Sequence, residues 1–190
     1  MSLQKREELV GKIVDEHLSL CGFIKDLPAG SCVIAGSWSL VSFGFQQGFE
    51  AFWDLAYCDN RGLLNMPLLS LWRQSIELTL KCSILEIGGR LDKKSGHKLQ
   101  DLFEELTIKS TDGGLDNDDD LTKNVREMIY YTQSFDPYAD RFRYPSNKNG
   151  DPYEGIEIDL DKLFQAHWII VTYCEGTVVE LREKIGIGSP

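Results

Sequence analysis

The stretch from Pro67 to Glu86, PLLSLWRQSIELTLKCSILE, constrains the fold more than any other. It is nearly solid with Leu, Trp, Ile and Cys, as expected of a helix surrounded by other helices. Four long polar side chains interrupt it: Arg73, Gln74, Glu77 and Lys81. Arg73, Glu77 and Lys81 follow at intervals of four, so they form one stripe on a helix. Polar groups on a central helix must find partners. Glu77 precedes Lys81 in the favourable orientation, and Arg73 reaches Glu77 from the other side. Pro67 suits the first turn, and Gly88-Gly89 signals a left-handed cap after about Ile87.

The rest of the chain supplies neighbours for this rod. Residues 4–21 read as a helix with Val10, Ile13, Val14, His17, Leu18 and Cys21 on one side. Residues 22–44 are punctuated by Pro28, Gly30, Gly36 and Gly44, and CVIAG fits a short strand or a packed loop. Phe45 to Cys58 reads as a second helix with Phe49, Phe52, Trp53 and Ala56 inward. GSWSLVSFG lacks the spacing and the lysine of a phosphate-binding loop. Beyond the central stretch, Arg90, Lys93, Lys94 and Lys98 form a basic patch. Ser95 is placed to cap a helix starting near Gly96 or His97, with Leu99, Leu102, Phe103 and Leu106 inward. His97, at that start, is placed to bond the central helix or to act as an acid or base.

KSTDGGLDNDDD reads as a solvated acidic loop whose last aspartate, Asp120, caps a helix over 121–134. Val125, Met128, Ile129 and Thr132 face inward. Asp116, Asp118, Asp120 and Glu127 imitate a calcium loop, but Leu121 stands where that loop needs glycine. FDPYADRFRYP then places Asp136, Asp140, Arg141 and Arg143 among aromatics. If extended, it puts both arginines on one side, with Glu77 the nearest internal partner. GIEIDL reads as a short edge segment. Asp159 caps a last helix whose apolar stripe runs through Leu163, His167, Val171, Cys174, Val178 and Leu181. His167 reads as a satisfied core histidine.

Composition excludes several classes. Twenty Lys and Arg against thirty Asp and Glu give a net charge of -10, which argues against a general duplex-DNA binder. Five cysteines without CxxC spacing predict neither structural zinc nor a disulfide framework. No run is of membrane-spanning length, and MSLQKREELV lacks the apolar centre of a signal peptide. A cytoplasmic protein with no metal, no cofactor and no membrane partner is expected.

LWRQSIELTLK, the Gly-Gly stop, GHKLQDLF, FDPYADRFRYP and a final helix together resemble bacterial HEPN-like all-helical proteins, over about residues 66–182. The resemblance implies an all-α, antiparallel helical bundle of about five to six helices with at most a short β element. It makes residues 1–190 a single domain, with 1–65 an N-terminal helical extension. It also implies a homodimer in a bacterial toxin or defence system. Its members include ribonucleases, with an arginine and a histidine four to six residues apart, and inactive proteins that bind a small nucleotide or a protein partner. Arg90 and His97 have six residues between them. They open the helix after the central one, whereas the ribonuclease motif opens a late helix. Arg141 and Arg143 have no histidine at that interval.

Three functions follow. The first is a non-catalytic or divergent HEPN-like protein acting through a partner or small nucleotide. The second is a metal-independent endoribonuclease acting on RNA. The third is a purely structural helical module. The candidate catalytic residues are Arg73, Glu77, His97 and Arg143. The candidate ligand-binding residues are Lys81, Arg90, Arg141 and Tyr144.

Overall fold

A computed structural model describes residues 2–16, 36–91 and 96–186. Among these are six helices: α1 (Leu3–Glu16), α2 (Trp38–Tyr57), α3 (Asn65–Glu86), α4 (Leu99–Asp112), α5 (Asp120–Phe135) and α6 (Leu160–Ile185). The chain divides into two units, Met1–Ser37 and Trp38–Pro190. α1 belongs to the first and buries no residue. His17, Cys21, Cys32 and most of CVIAG lie outside the described residues. α2 belongs to the second unit, so the bundle begins well before residue 66.

The second unit is an all-α bundle around α3, which packs against α2, α4 and α6. Long side chains fix the directions. Gln46 and Ser42 of α2 reach Thr79 near the end of α3, at 3.1 and 3.3 Å. The Trp53 indole, near the end of α2, donates to the Leu160 carbonyl at the start of α6, at 2.8 Å. α2 is therefore antiparallel to both α3 and α6, and these two run in the same direction. Leu99 at the start of α4 meets Gln133 at the end of α5, so that pair is antiparallel.

α3 is central because its apolar residues leave no free face. Leu68, Ile76, Leu80 and Ile84 join Phe49, Phe103, Ile129 and Ile170 in one core. α3 ends as its glycines require. Gly88 adopts φ 80°, and a Cβ on Gly89 would lie 2.7 Å from the Ile84 carbonyl oxygen. Asp159 caps α6 by accepting from the Lys162 amide at 3.0 Å.

Four local expectations are corrected. α2 starts at Trp38 rather than Phe45, because Ser42 and Gln46 face inward and bond α3 despite Gly44. Asp119, not Asp120, caps α5, accepting from the amide and hydroxyl of Thr122 at 2.9 and 2.6 Å. GIEIDL forms no strand; the one described bridge joins Ser146 and Pro152. Half-buried Ile156 and Ile158 instead pack on the core.

His167 is the fourth. It lies in the α6 stripe, fully buried, with its ring 4.2 Å from that of Phe49. Neither ring nitrogen has a hydrogen-bond partner among the described residues. Burial pushes its pKa down to about 4. The folded-state pKa lies below the unfolded one, so the unfolded chain binds the extra proton between them. Stability is therefore present above about pH 6.5 and lost as pH falls toward 4. Denaturant titrations from pH 7 to 4 are expected to show a His167 share of about 3 kcal/mol, absent in His167→Leu. An unchanged pH profile in that variant would refute the assignment.

Candidate functional site

The polar stripe of α3 is centred on Glu77, which is 2 % exposed. One carboxylate oxygen, Oε2, accepts from Arg73 Nη1 at 3.2 Å. The other, Oε1, accepts from Lys81 Nζ at 2.6 Å and lies 2.8 Å from His97 Nδ1. A carboxylate accepts, so His97 donates through Nδ1. The two cations are one helical turn on either side of Glu77, so backbone geometry alone brings them to it. His97 arrives from the turn that precedes α4.

Arg73 is nearly as buried as Glu77. Its Nη2 donates to the His97 carbonyl oxygen. Its Nε has no partner among the described residues. Burial lowers the Arg73 pKa, opposed by the charges of Glu77 and Asp136 and joined by Arg143. Lys81 is mostly covered. His97 differs: its side chain is 69 % exposed, and Nε2 makes no hydrogen bond among the described residues.

Arg73 and His97 share a cleft of about 80 Å³ with Ser70, Gln74, Asp136, Ala139, Phe142 and Arg143. The connection after α5 forms its far wall. Asp136, buried, accepts from the amides of Asp140 and Arg141 at 2.7 and 3.0 Å. This tight turn puts Ala139 at φ 57°, a conformation uncommon outside glycine. The Ala139 carbonyl accepts from Arg143 Nη2, and the guanidinium lies over the Tyr144 ring at 5.6 Å. Arg143 is exposed and forms no ion pair among the described residues.

Arg73, Glu77, Lys81 and His97 are therefore brought into one bonded group, with Arg143 across the cleft. The expected pairing of Arg141 and Arg143 with Glu77 does not occur, because residues 141–143 form a turn rather than an extended segment. Arg141 donates to the carbonyls of Phe135 and Glu154 at 3.2 and 3.0 Å, and lies 5.5 Å from the Tyr153 ring. It fastens the connection and lies outside the cleft. Tyr144 lines the adjoining surface with Tyr138 and Lys148. Arg90 is exposed, absent from the cleft wall, and makes no hydrogen bond or ion pair among the described residues. His97 lies in the turn before α4, which starts at Leu99 rather than at His97. Lys93, Lys94 and Ser95 lie outside the described residues.

Two residues of this region were not foreseen as parts of it. Gln133 Oε1 accepts from the Leu99 amide at 2.6 Å, and Gln133 Nε2 donates to the Pro137 carbonyl at 2.8 Å. It holds the start of α4 to the far wall. Its spacing from Val125 and Ile129 placed it on the inner face, the only available signal. Asp136, four residues after Thr132, continues the same spacing but lies just past the helix end at Phe135.

Glu77 pairs with both Arg73 and Lys81, so removing its charge should leave both without an anionic partner there. Glu77→Gln is expected to cost about 3–5 kcal/mol in denaturant unfolding, well above the cost of Lys81→Met. Equal, small losses in the two variants would contradict this picture. No protein-family model matches the chain, and neither a curated protein nor a solved structure is significantly similar to it.

Proposed function

We propose that the protein is a divergent, non-catalytic HEPN-like protein that binds the phosphate of a small nucleotide at this cleft and acts through a protein partner. The observation that carries the reading is the contrast between floor and mouth. Glu77 already satisfies Arg73 and Lys81. Arg143 is exposed, with one bond to a backbone carbonyl and further donors open. The cleft wall carries two guanidinium groups, Arg73 and Arg143, against one carboxylate, Asp136, in a chain of net charge -10. Local positive potential focuses anions regardless of the overall sign.

The cleft volume of about 80 Å³ holds two or three waters at about 30 Å³ each. That space suits a phosphoryl group, with sugar and base outside along Tyr144. The HEPN-like character, the homodimer and the toxin or defence setting rest on the motif resemblance.

Calorimetry with adenosine 5′-monophosphate and adenosine separates phosphate recognition from base recognition. The monophosphate is expected to bind, adenosine to bind at least about tenfold more weakly, and Arg143→Ala to lose a similar factor for the monophosphate. Equal affinities for the two compounds, or an unaffected Arg143→Ala, would remove the proposal.

One observation favours a second reading, the metal-independent endoribonuclease acting on RNA. A buried carboxylate holds His97 Nδ1 and leaves Nε2 to the solvent side. That is the arrangement by which a carboxylate orients an acid-base imidazole, and Arg143 is placed to steady a phosphate charge. Incubation with mixed RNA and a chelator distinguishes the readings. The non-catalytic reading expects no cleavage beyond that of His97→Ala; cleavage abolished by that substitution would establish the enzyme.

A further inference from the structure

A second polar centre lies elsewhere in the bundle, where three helices each turn polar residues at helical spacing toward one place. α2 brings Ser42 and Gln46, α3 brings Thr79 and Ser83, and α6 brings Glu175. They line a pocket of about 200 Å³, with the Glu86–Arg182 ion pair beside them. Hydroxyl and amide groups at buried positions on α2 and α3 are costly unless each is satisfied, and the exposed Glu175 carboxylate of α6 lies beside them.

The bonds that exist define what is still needed. Gln46 Nε2 donates to Glu175 Oε1 and to Thr79 Oγ1, both at 3.1 Å. A carboxylate can only accept, so the amide nitrogen is on that side and Gln46 Oε1 remains an acceptor. Ser83 is 3 % exposed, yet its hydroxyl makes no hydrogen bond among the described residues. Glu86 is neutralised by Arg182 at 3.1 Å. Glu175 has no cationic partner among the described residues. The pocket therefore offers three oxygen acceptors and one uncompensated negative charge. Cys82, on its wall, is pushed up to about 12 by burial and by Glu86 and Glu175, so it stays a neutral thiol.

The complement of such a site carries several N–H donors and one positive charge on a small apolar stem. We propose that this pocket binds a small aliphatic primary amine, with its ammonium group held by Glu175, Gln46 Oε1 and Ser83 Oγ. The stem lies against Val178, Val179 and Phe43. The acidic surface of the whole chain raises the local concentration of such a cation. This site is separate from the His97 cleft, and neither reading depends on the other.

The test is calorimetric titration of the full chain with n-butylamine at low ionic strength. Saturable one-site binding is expected, weakened about tenfold by Glu175→Gln and several-fold by Ser83→Ala. Glu180→Gln, one charge removed from the same helix outside the pocket, is expected to change nothing. Circular dichroism melts confirm that the variants fold. No binding to the native chain, or equal weakening by Glu175→Gln and Glu180→Gln, overturns the proposal. So does displacement of the amine by millimolar potassium but not by tetramethylammonium, which would assign the pocket to bare cations.

Discussion

The Glu77 carboxylate is the interaction on which the structure depends. A helix as apolar as α3 can occupy the centre of a bundle, but Arg73 and Lys81 cannot follow it there unpaired. Desolvating isolated charges costs several kcal/mol each. Glu77 meets both cations within one turn in either direction, and its remaining capacity goes to His97. The same carboxylate thus makes the burial of α3 tolerable and fixes the turn that opens α4. Arg73 reinforces that turn through the His97 carbonyl.

From this follows a division into a closed floor and an open mouth. The floor is held together through Glu77, so it contributes chiefly shape and field, with Arg73 Nε its donor left without a partner among the described residues. The mouth is built by two irregular segments, 96–98 and 136–145, and each is anchored to helices. Gln133 ties the amide of Leu99 to the Pro137 carbonyl, and Asp136 closes the turn beneath Arg143. Side chains on anchored loops can be both exposed and positioned, which a binding site requires.

Much of this was legible in the sequence, for identifiable reasons. The rod, its glycine stop, the Glu77–Lys81 pair, the Asp159 cap and the α6 stripe are local patterns, set by residues three or four apart. A bond from His97 to the central helix was legible as an option, because His97 opens the segment that follows α3, but its partner Glu77 was not. What failed was non-local. The extended reading of 141–144 missed the turn imposed by Asp136, so the arginines took backbone carbonyls instead of Glu77. Ser42, Gln46 and Thr79 looked unremarkable because their meaning lies in meeting across two helices. His167 was correctly placed in the core, but its lack of a partner depends on what surrounds it, chiefly Phe49.

The floor-and-mouth account is tested most directly by side-chain nuclear magnetic resonance of histidine and arginine during titration with a nucleoside monophosphate. The account predicts saturable shifts at the His97 ring and the Arg143 guanidinium, with Arg73 unmoved and still bonded to Glu77. Shifts spread evenly over the exposed basic side chains, or a perturbed Arg73 with Arg143 silent, would contradict it.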